Sequence, residues 1–396
     1  MIGEAARARF AMFGWPGSGH AVLLRRARLM VGLVLALYTA LSPSFPAPWP
    51  SESRNAAAAA TLSSTSTDPV LAVGGDIACD VGGVPTATAC QQAATSDVVA
   101  NLGADAVLPL GDQQYDTGSL GSFQQMYGPS WGRVLPRSHP VPGNHEYQTA
   151  GAAGYFSYFG SAAGDPSTGY YSWDIGSWHL IALNSECSQG AQVGCAVGSP
   201  QEKWLKADLS AHPGRCTLAY WHQPRFSSGN GGSNSIYQAF WQDLYDAHAD
   251  VVLNGHTHAY ERFAPQTPTG AADGTAGLRE FVVGTGGRNF YGFSAALPNE
   301  QVRQNTTFGA MWLVLHPSSY DWSFQPVAGS TYSDAGTGAC HASTVDTVAP
   351  SVPAGLAVNG SSSSQVALGW SPSTDNAGGS GVGPATASTV ATSRRR

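Results

Sequence analysis

Seven residues of metal-ligand type, Asp76, Asp112, Asn144, His145, His222, His256 and His258, fall directly after apolar runs or inside Gly-Asp, Gly-Asn and Gly-His turns. Carboxylates, imidazoles and an amide oxygen are donors suited to transition-metal ions. Glycine ahead of a ligand removes side-chain bulk and lets the chain turn sharply, so that the ligand faces a shared crevice. A single Gly-Asp or Gly-His pair carries no information. Five such turns in series, each closing a strand, describe a metal site built from strand ends.

The elements that must position these residues alternate between strand and helix from Asp68 to His341. PVLAVGG ends at Asp76, SDVVANLG reads as a helix, and ADAVLPLG ends at Asp112. Residues 119–127 read as helical, followed by HPVPGNHE and a hairpin-like YYSWDIGSWHLIALNS. Ser199-Pro200-Gln201-Glu202 is a capping box with proline at the first helical position. The strand TLAYWH, the helix IYQAFWQDLYDAHA and the strand DVVLNGH follow, and residues 279–327 read as further strands. Apolar strands alternating with helices predict a layered α/β fold with its site at the strand ends.

Gly-Asp at 75–76, GDQQY at 111–115, GNHE at 143–146, YWH at 220–222 and GHTH at 255–258 resemble the five blocks of the metallophosphoesterase superfamily. The resemblance implies a four-layer αββα sandwich. Most of that superfamily has Asp-x-His in its first block, whereas position 78 here is Ala78; Tyr115 in the second block and the run GHTHAYER resemble the purple acid phosphatase branch. Carried over, this implies two metal ions bridged by Asp112, one held also by Asp76, Tyr115 and His258, the other by Asn144, His222 and His256. Phenolate and carboxylates suit Fe(III); two imidazoles and an amide suit Zn(II), Mn(II) or Fe(II). Two such ions clamp the attacking and leaving oxygens of a phosphoryl group. The implied reaction is hydrolysis of phosphomonoesters by in-line attack of a metal-bound hydroxide. The resemblance implies Asp112 and His145 as the catalytic residues, with His145 free of the metals to protonate the leaving alkoxide or hold a phosphate oxygen. The substrate would be a small phosphate ester.

The plant-type enzymes carry substrate-contacting histidines in the loop after the fourth block. Here that loop is QPRFSSGNGGSNS, without histidine, and Arg225 is a candidate anion contact beside the plainer reading of a surface arginine. Its glycine-rich part, 229–232, suggests a mobile lip, and no phosphate-loop pattern accompanies it. Glu261 and Arg262 suggest a structural ion pair beside the site, and Trp173 and Trp178 read as core cover.

The chain ends read differently. Arg25, Arg26 and Arg28 precede an apolar run at 29–41, then prolines and the alanine string 56–60, which together describe an export signal and linker over residues 1–60. Thirteen apolar residues are too few for a stable membrane anchor, which needs roughly twenty. Beyond residue 60 the chain holds 24 acidic and 13 basic residues, net −11, which excludes nucleic-acid coating. All six cysteines lie in that part, and their spacing suggests Cys79–Cys90, Cys187–Cys195 and Cys216–Cys340. Export and disulfides agree on a secreted protein. The catalytic domain is expected over 66–345. Residues 346–396 resemble an incomplete fibronectin type III module, too short to bury a core and expected to be disordered. The alternatives are a phosphodiesterase or alkaline-optimum phosphatase with Zn or Mn in both positions, and a non-catalytic protein associated with the cell surface.

Overall fold

The computed structural model describes residues 68–188, 193–341, 354–361, 365–371 and 390–391; the expected export segment, 1–60, lies outside them. The chain runs through β1 (Val70–Gly74), α1 (Gln92–Asn101) and β2 (Ala106–Pro109). A single turn, α2 (Leu120–Ser122), leads into a π-helical stretch, Phe123–Tyr127, and a 3-10 helix, Trp131–Arg137. Next come α3 (Ala153–Phe159), the hairpin β3 (Tyr171–Ile175) and β4 (Trp178–Ala182), α4 (Pro200–Ala211), β5 (Cys216–Tyr220) and α5 (Gln238–Asp246). Strands β6 (Val251–Asn254), β7 (Tyr260–Phe263), β8 (Arg279–Val283), β9 (Glu300–Gln304), β10 (Gly309–Leu315), β11 (Ser319–Pro326) and β12 (Ala335–Ala339) complete this part.

Two sheets carry these strands, ordered β12-β11-β10-β1-β2 and β3-β4-β5-β6-β8-β7-β9. The period of two along each strand builds the layers. Leu71, Val73 and Leu108 point from the first sheet into a shared core with Leu180, Leu218, Leu253 and Phe281 of the second. Ala72 and Val107, on the opposite face, pack under Val99 of α1, Trp131 and Tyr155. Ile181, Ala219 and Val252 pack under Leu205 of α4 and Phe240 and Leu244 of α5. The result is the expected four-layer αββα sandwich. Strands β1 and β2, and β4, β5, β6 and β8, run parallel within their sheets. Their C-terminal ends therefore open on one edge.

Some local readings shift. The first helix begins at Gln92, four residues before the run that suggested it. Ser199 caps α4 by accepting from the Glu202 amide, but the Glu202 carboxylate reaches back to the Gly198 amide at 3.0 Å instead of to Ser199. The three disulfides pair as spacing suggested, Cys79–Cys90, Cys187–Cys195 and Cys216–Cys340. In the C-terminal segment, where no settled structure is expected, β13 (Ala354–Ser361), β14 (Gln365–Ser371) and β15 (Val390–Ala391) pair antiparallel. The two longer strands carry the sequences GLAV and QVALGW; the remainder of that segment lies outside the described residues. Among the described residues no helix is long and apolar enough to cross a membrane.

One cluster ties α4 to the edge hairpin. His179, buried in β4, lies 2.8 Å from Asp174 of β3 through Nδ1 and 2.8 Å from Asp208 of α4 through Nε2, and it stacks on His212 at 3.8 Å. Burial opposes its charge, but Asp208 and Asp174 outweigh it and raise the His179 pKa above the ordinary imidazole value. A raised folded pKa stabilises below the unfolded value of about 6.5, and that stabilisation fades as pH rises through the folded value. The melting temperature of His179→Gln should therefore fall further below that of the parent protein at pH 5.5 than at pH 9. Equal differences at both values would remove the charge from this account.

Candidate metal centre

The predicted ligands come together at the open edge. Asp76 follows β1, Asp112 follows β2, His222 follows β5, and His256 and His258 follow β6. Asp76, Asp112 and His256 all have positive φ, at 59°, 46° and 66°. A non-glycine residue held there costs on the order of 1–2 kcal/mol, and such strain gathers where surrounding structure fixes a functional side chain. Glycines make room beside them. A Cβ on Gly111, itself at φ +83°, would lie 2.5 Å from the His222 ring, and one on Gly143 would collide with Asp112 Oδ1.

Around Tyr115 Oη stand Asp76 Oδ1 at 2.9 Å, Asp112 Oδ2 at 3.0 Å and His258 Nε2 at 2.9 Å. The same Asp112 oxygen lies 3.2 Å from His222 Nε2, and His222 Nε2 lies 3.3 Å from His256 Nδ1. His222 Nδ1 donates to the Leu110 carbonyl at 2.8 Å, which fixes the ring and leaves Nε2 for the centre. Asn144 sits between Gly143 and His145, both against Asp112, and its Oδ1 is buried without a hydrogen-bond partner. His145 is part-exposed: its amide donates to Asp112 Oδ1 at 2.8 Å and its ring packs 4.1 Å from that of Tyr115. Its Nδ1 donates to the Asp116 carbonyl at 2.6 Å, which leaves Nε2 3.8 Å from Asp112 Oδ2.

The electrostatics describe donors crowded together. Burial opposes the charged form of Asp112, yet His222 and His145 outweigh it and hold the carboxyl well below the usual range. Burial also opposes charge on His222, but Asp112 pushes it up to about 10. Burial and then His222 press His256 down to about 4. Burial, with Asp112 and Asp76, raises the Tyr115 phenol well above its ordinary value. One phenolic proton cannot satisfy two carboxylates and a ring nitrogen, and the Asn144 oxygen has nothing to accept. Carboxylates, phenol, amide oxygen and imidazoles on this scale fit cations. Asp76, Tyr115, His258 and Asp112 could hold one ion, and Asp112, Asn144, His222 and His256 a second.

Several residues at the centre went unread in the sequence. Glu146, fully buried, accepts from the amides of Asp112 at 2.9 Å, Gly143 at 2.8 Å and Gln114 at 3.2 Å, and so locks the second and third blocks together. The GNHE motif carried that signal. Strand β8 is a sixth strand end: its glycine-rich turn brings Arg288 to 5.0 Å over the Tyr115 ring and Tyr291 into a stack 3.8 Å from His258. Arg225 instead faces Gln238 at 2.7 Å and lies over Phe226 at 4.3 Å, so the arginine at the centre is Arg288. Glu261 and Arg262 do not pair, because neighbours on a strand point to opposite faces. Arg262 binds Asp334 at 2.8 Å, while Glu261 accepts from Ser227 Oγ at 2.6 Å and the Ser228 amide at 2.7 Å. The lip at 229–232 is anchored, with the Asn230 amide donating to Gly292 at 3.0 Å. Trp178 is buried, and Trp173 stacks on His139 at 3.7 Å.

The stretch that carries this sandwich and donor set, residues 71–260, matches the calcineurin-like phosphoesterase family model. The relatives that the chain resembles include purple acid phosphatases. It is 32% identical over 151 residues to Purple acid phosphatase 15 of Arabidopsis thaliana, which is 33% of this chain and 27% of that protein. It is 30% identical over 188 residues to human Acid phosphatase type 7, 41% of each chain. The chain thus spans well under half the length of these relatives. A purple acid phosphatase from yellow lupin (Lupinus luteus) seeds shares the fold at a TM-score of 0.54 and 17% identity, over 69% of this chain and 54% of that one.

Glu146 supplies no ligand, yet it fixes the backbone on which Asp112 and Asn144 ride. Glu146→Gln should lower metal affinity by about 10- to 100-fold with the far-ultraviolet circular dichroism unchanged. Parent-like metal affinity would show that the three amides need no carboxylate.

Proposed function

We propose that the chain is a secreted dinuclear-metal phosphatase acting on phosphomonoesters. The observation that carries this reading is the convergence of Asp76, Asp112, Tyr115, His222, His256 and His258 from separate strand ends, with the buried Asn144 oxygen beside them left without a partner. Two bound metal ions would supply positive charge for the phosphoryl oxygens and an activated water. The chain supplies the rest. Asp112 lies between the two ligand groups and sets their spacing. His145 is held at Nδ1 by the Asp116 carbonyl, so Nε2 is the atom that can pass a proton to a leaving alkoxide. Tyr115 within the cluster favours a ferric ion in one position over Zn or Mn in both. Three disulfides support an exported protein. A non-catalytic role finds no support, since every ligand position of the resemblance is filled.

The test is release of phosphate from an aryl phosphate. Asp112→Asn and His222→Ala should each lower kcat/KM by at least about 10³-fold while circular dichroism stays that of the parent, and His145→Ala by roughly 10²- to 10⁴-fold. Near-normal turnover in the first two variants would overturn the assignment.

A further inference from the structure

Beside His222 the surface opens into a cavity of about 300 Å³ whose lining includes Glu186, Gln223, Asn234, Ile236 and Tyr237. Gln223 directly follows the ligand-type His222, and Glu186 lies near enough to feel the charges of His222 and Asp112. It is also built, not accidental. Glu186 Oε1 accepts from Gln223 Nε2 at 2.9 Å, and Tyr237 Oη donates toward Gln223 Oε1 at 3.0 Å. The Glu186 amide donates to Asn184 Oδ1 at 3.0 Å, and Asn184 Nδ2 donates to Tyr147 Oη at 2.7 Å, in the turn that follows Asn144. The Cys187–Cys195 disulfide anchors the segment that presents the glutamate. One wall is thus a fixed carboxylate whose Oε1 is committed to Gln223, and the rim carries the exposed apolar Ile236.

A centre that draws in a phosphoryl anion would not ordinarily keep a further carboxylate alongside, because like charges repel the substrate. Glu186 is therefore informative about the part of the substrate that is not phosphate. A carboxylate only accepts hydrogen bonds, so it favours a group that donates them and disfavours a second anion. Asn234 Oδ1 is taken by the Ile236 amide at 3.1 Å, which leaves its amide nitrogen to meet a neutral oxygen. Arg288, of opposite sign, lies over Tyr115.

Resting on the phosphatase reading above, we propose that this cavity is the leaving-group subsite, and that it selects phosphomonoesters of small alcohols carrying an ammonium or hydroxyl donor over those carrying a second negative charge. Ammonium and hydroxyl share this chemistry, and two substrates separate them. The experiment compares kcat/KM of the full chain and of Glu186→Gln on phosphoethanolamine, glycerol 2-phosphate, an aryl phosphate and inorganic pyrophosphate. The expected result is a loss on phosphoethanolamine about 10- to 100-fold larger than the loss on the aryl phosphate, as for a hydrogen bond to a charged group. Glu186→Lys should raise the ratio of pyrophosphate to phosphoethanolamine turnover at least about tenfold. A comparable loss on glycerol 2-phosphate assigns the donor as hydroxyl, and a loss confined to phosphoethanolamine assigns it as ammonium; both support the subsite. Equal losses on all four substrates would overturn it and leave the phosphatase reading standing. A parent protein inactive on all four would overturn both.

Discussion

Asp112 carries on two oxygens the contacts that hold the centre together: the Tyr115 hydroxyl at 3.0 Å, His222 Nε2 at 3.2 Å and the His145 amide at 2.8 Å. A carboxylate buried this deeply is costly without compensating charge. Among the described residues that compensation comes from His222, driven toward its protonated form, together with the His145 amide. Every other feature of the edge serves to keep that carboxylate and its neighbours in place.

The scaffold does so at two levels. Nearest the centre, Glu146 gathers the amides of Asp112, Gly143 and Gln114, the Leu110 carbonyl fixes His222, and the Asp76 carboxylate accepts from the His256 amide at 2.8 Å. Beneath them, parallel strands buried on both faces offer little freedom to shift. The strained turns at Asp76, Asp112 and His256 persist because the core behind them is close-packed. The two sheets contribute different parts: the first brings Asp76 and Asp112, the second His222, His256 and His258. The site exists only where the sheets meet. Two side chains of opposite charge stand near it, Arg288 over Tyr115 and Glu186 beside Gln223.

Most of this was legible in the sequence for a simple reason. Ligands that close strands must follow apolar runs, and the turn that exposes them needs glycine, so the pattern repeats in one dimension as Gly-Asp, Gly-Asn and Gly-His. A layered α/β fold followed from strands alternating with helices, and its four-layer order from the family resemblance. What stayed hidden depends on side-chain direction and long-range contact. Arg225 lies in the right loop but turns to Gln238, while Arg288 arrives from a strand end with no ligand-type residue. Glu261 and Arg262 are adjacent in sequence and face opposite sides of β7, so adjacency suggested a pair that the pleat forbids. Glu146 stood in a motif already read, but its work is to bind amides 32 and 34 residues away, which spacing cannot show.

On the reading proposed above, a pair of metal ions balances these buried donors, with Tyr115 holding iron. The visible absorption spectrum of the aerobically purified full chain, read with its metal content, tests it most directly. About two ions per chain are expected, one of them iron, with a broad visible band that Tyr115→Phe abolishes. A colourless, iron-free protein that still releases phosphate would contradict the place given to Tyr115, and an active protein with no bound metal would contradict the centre itself.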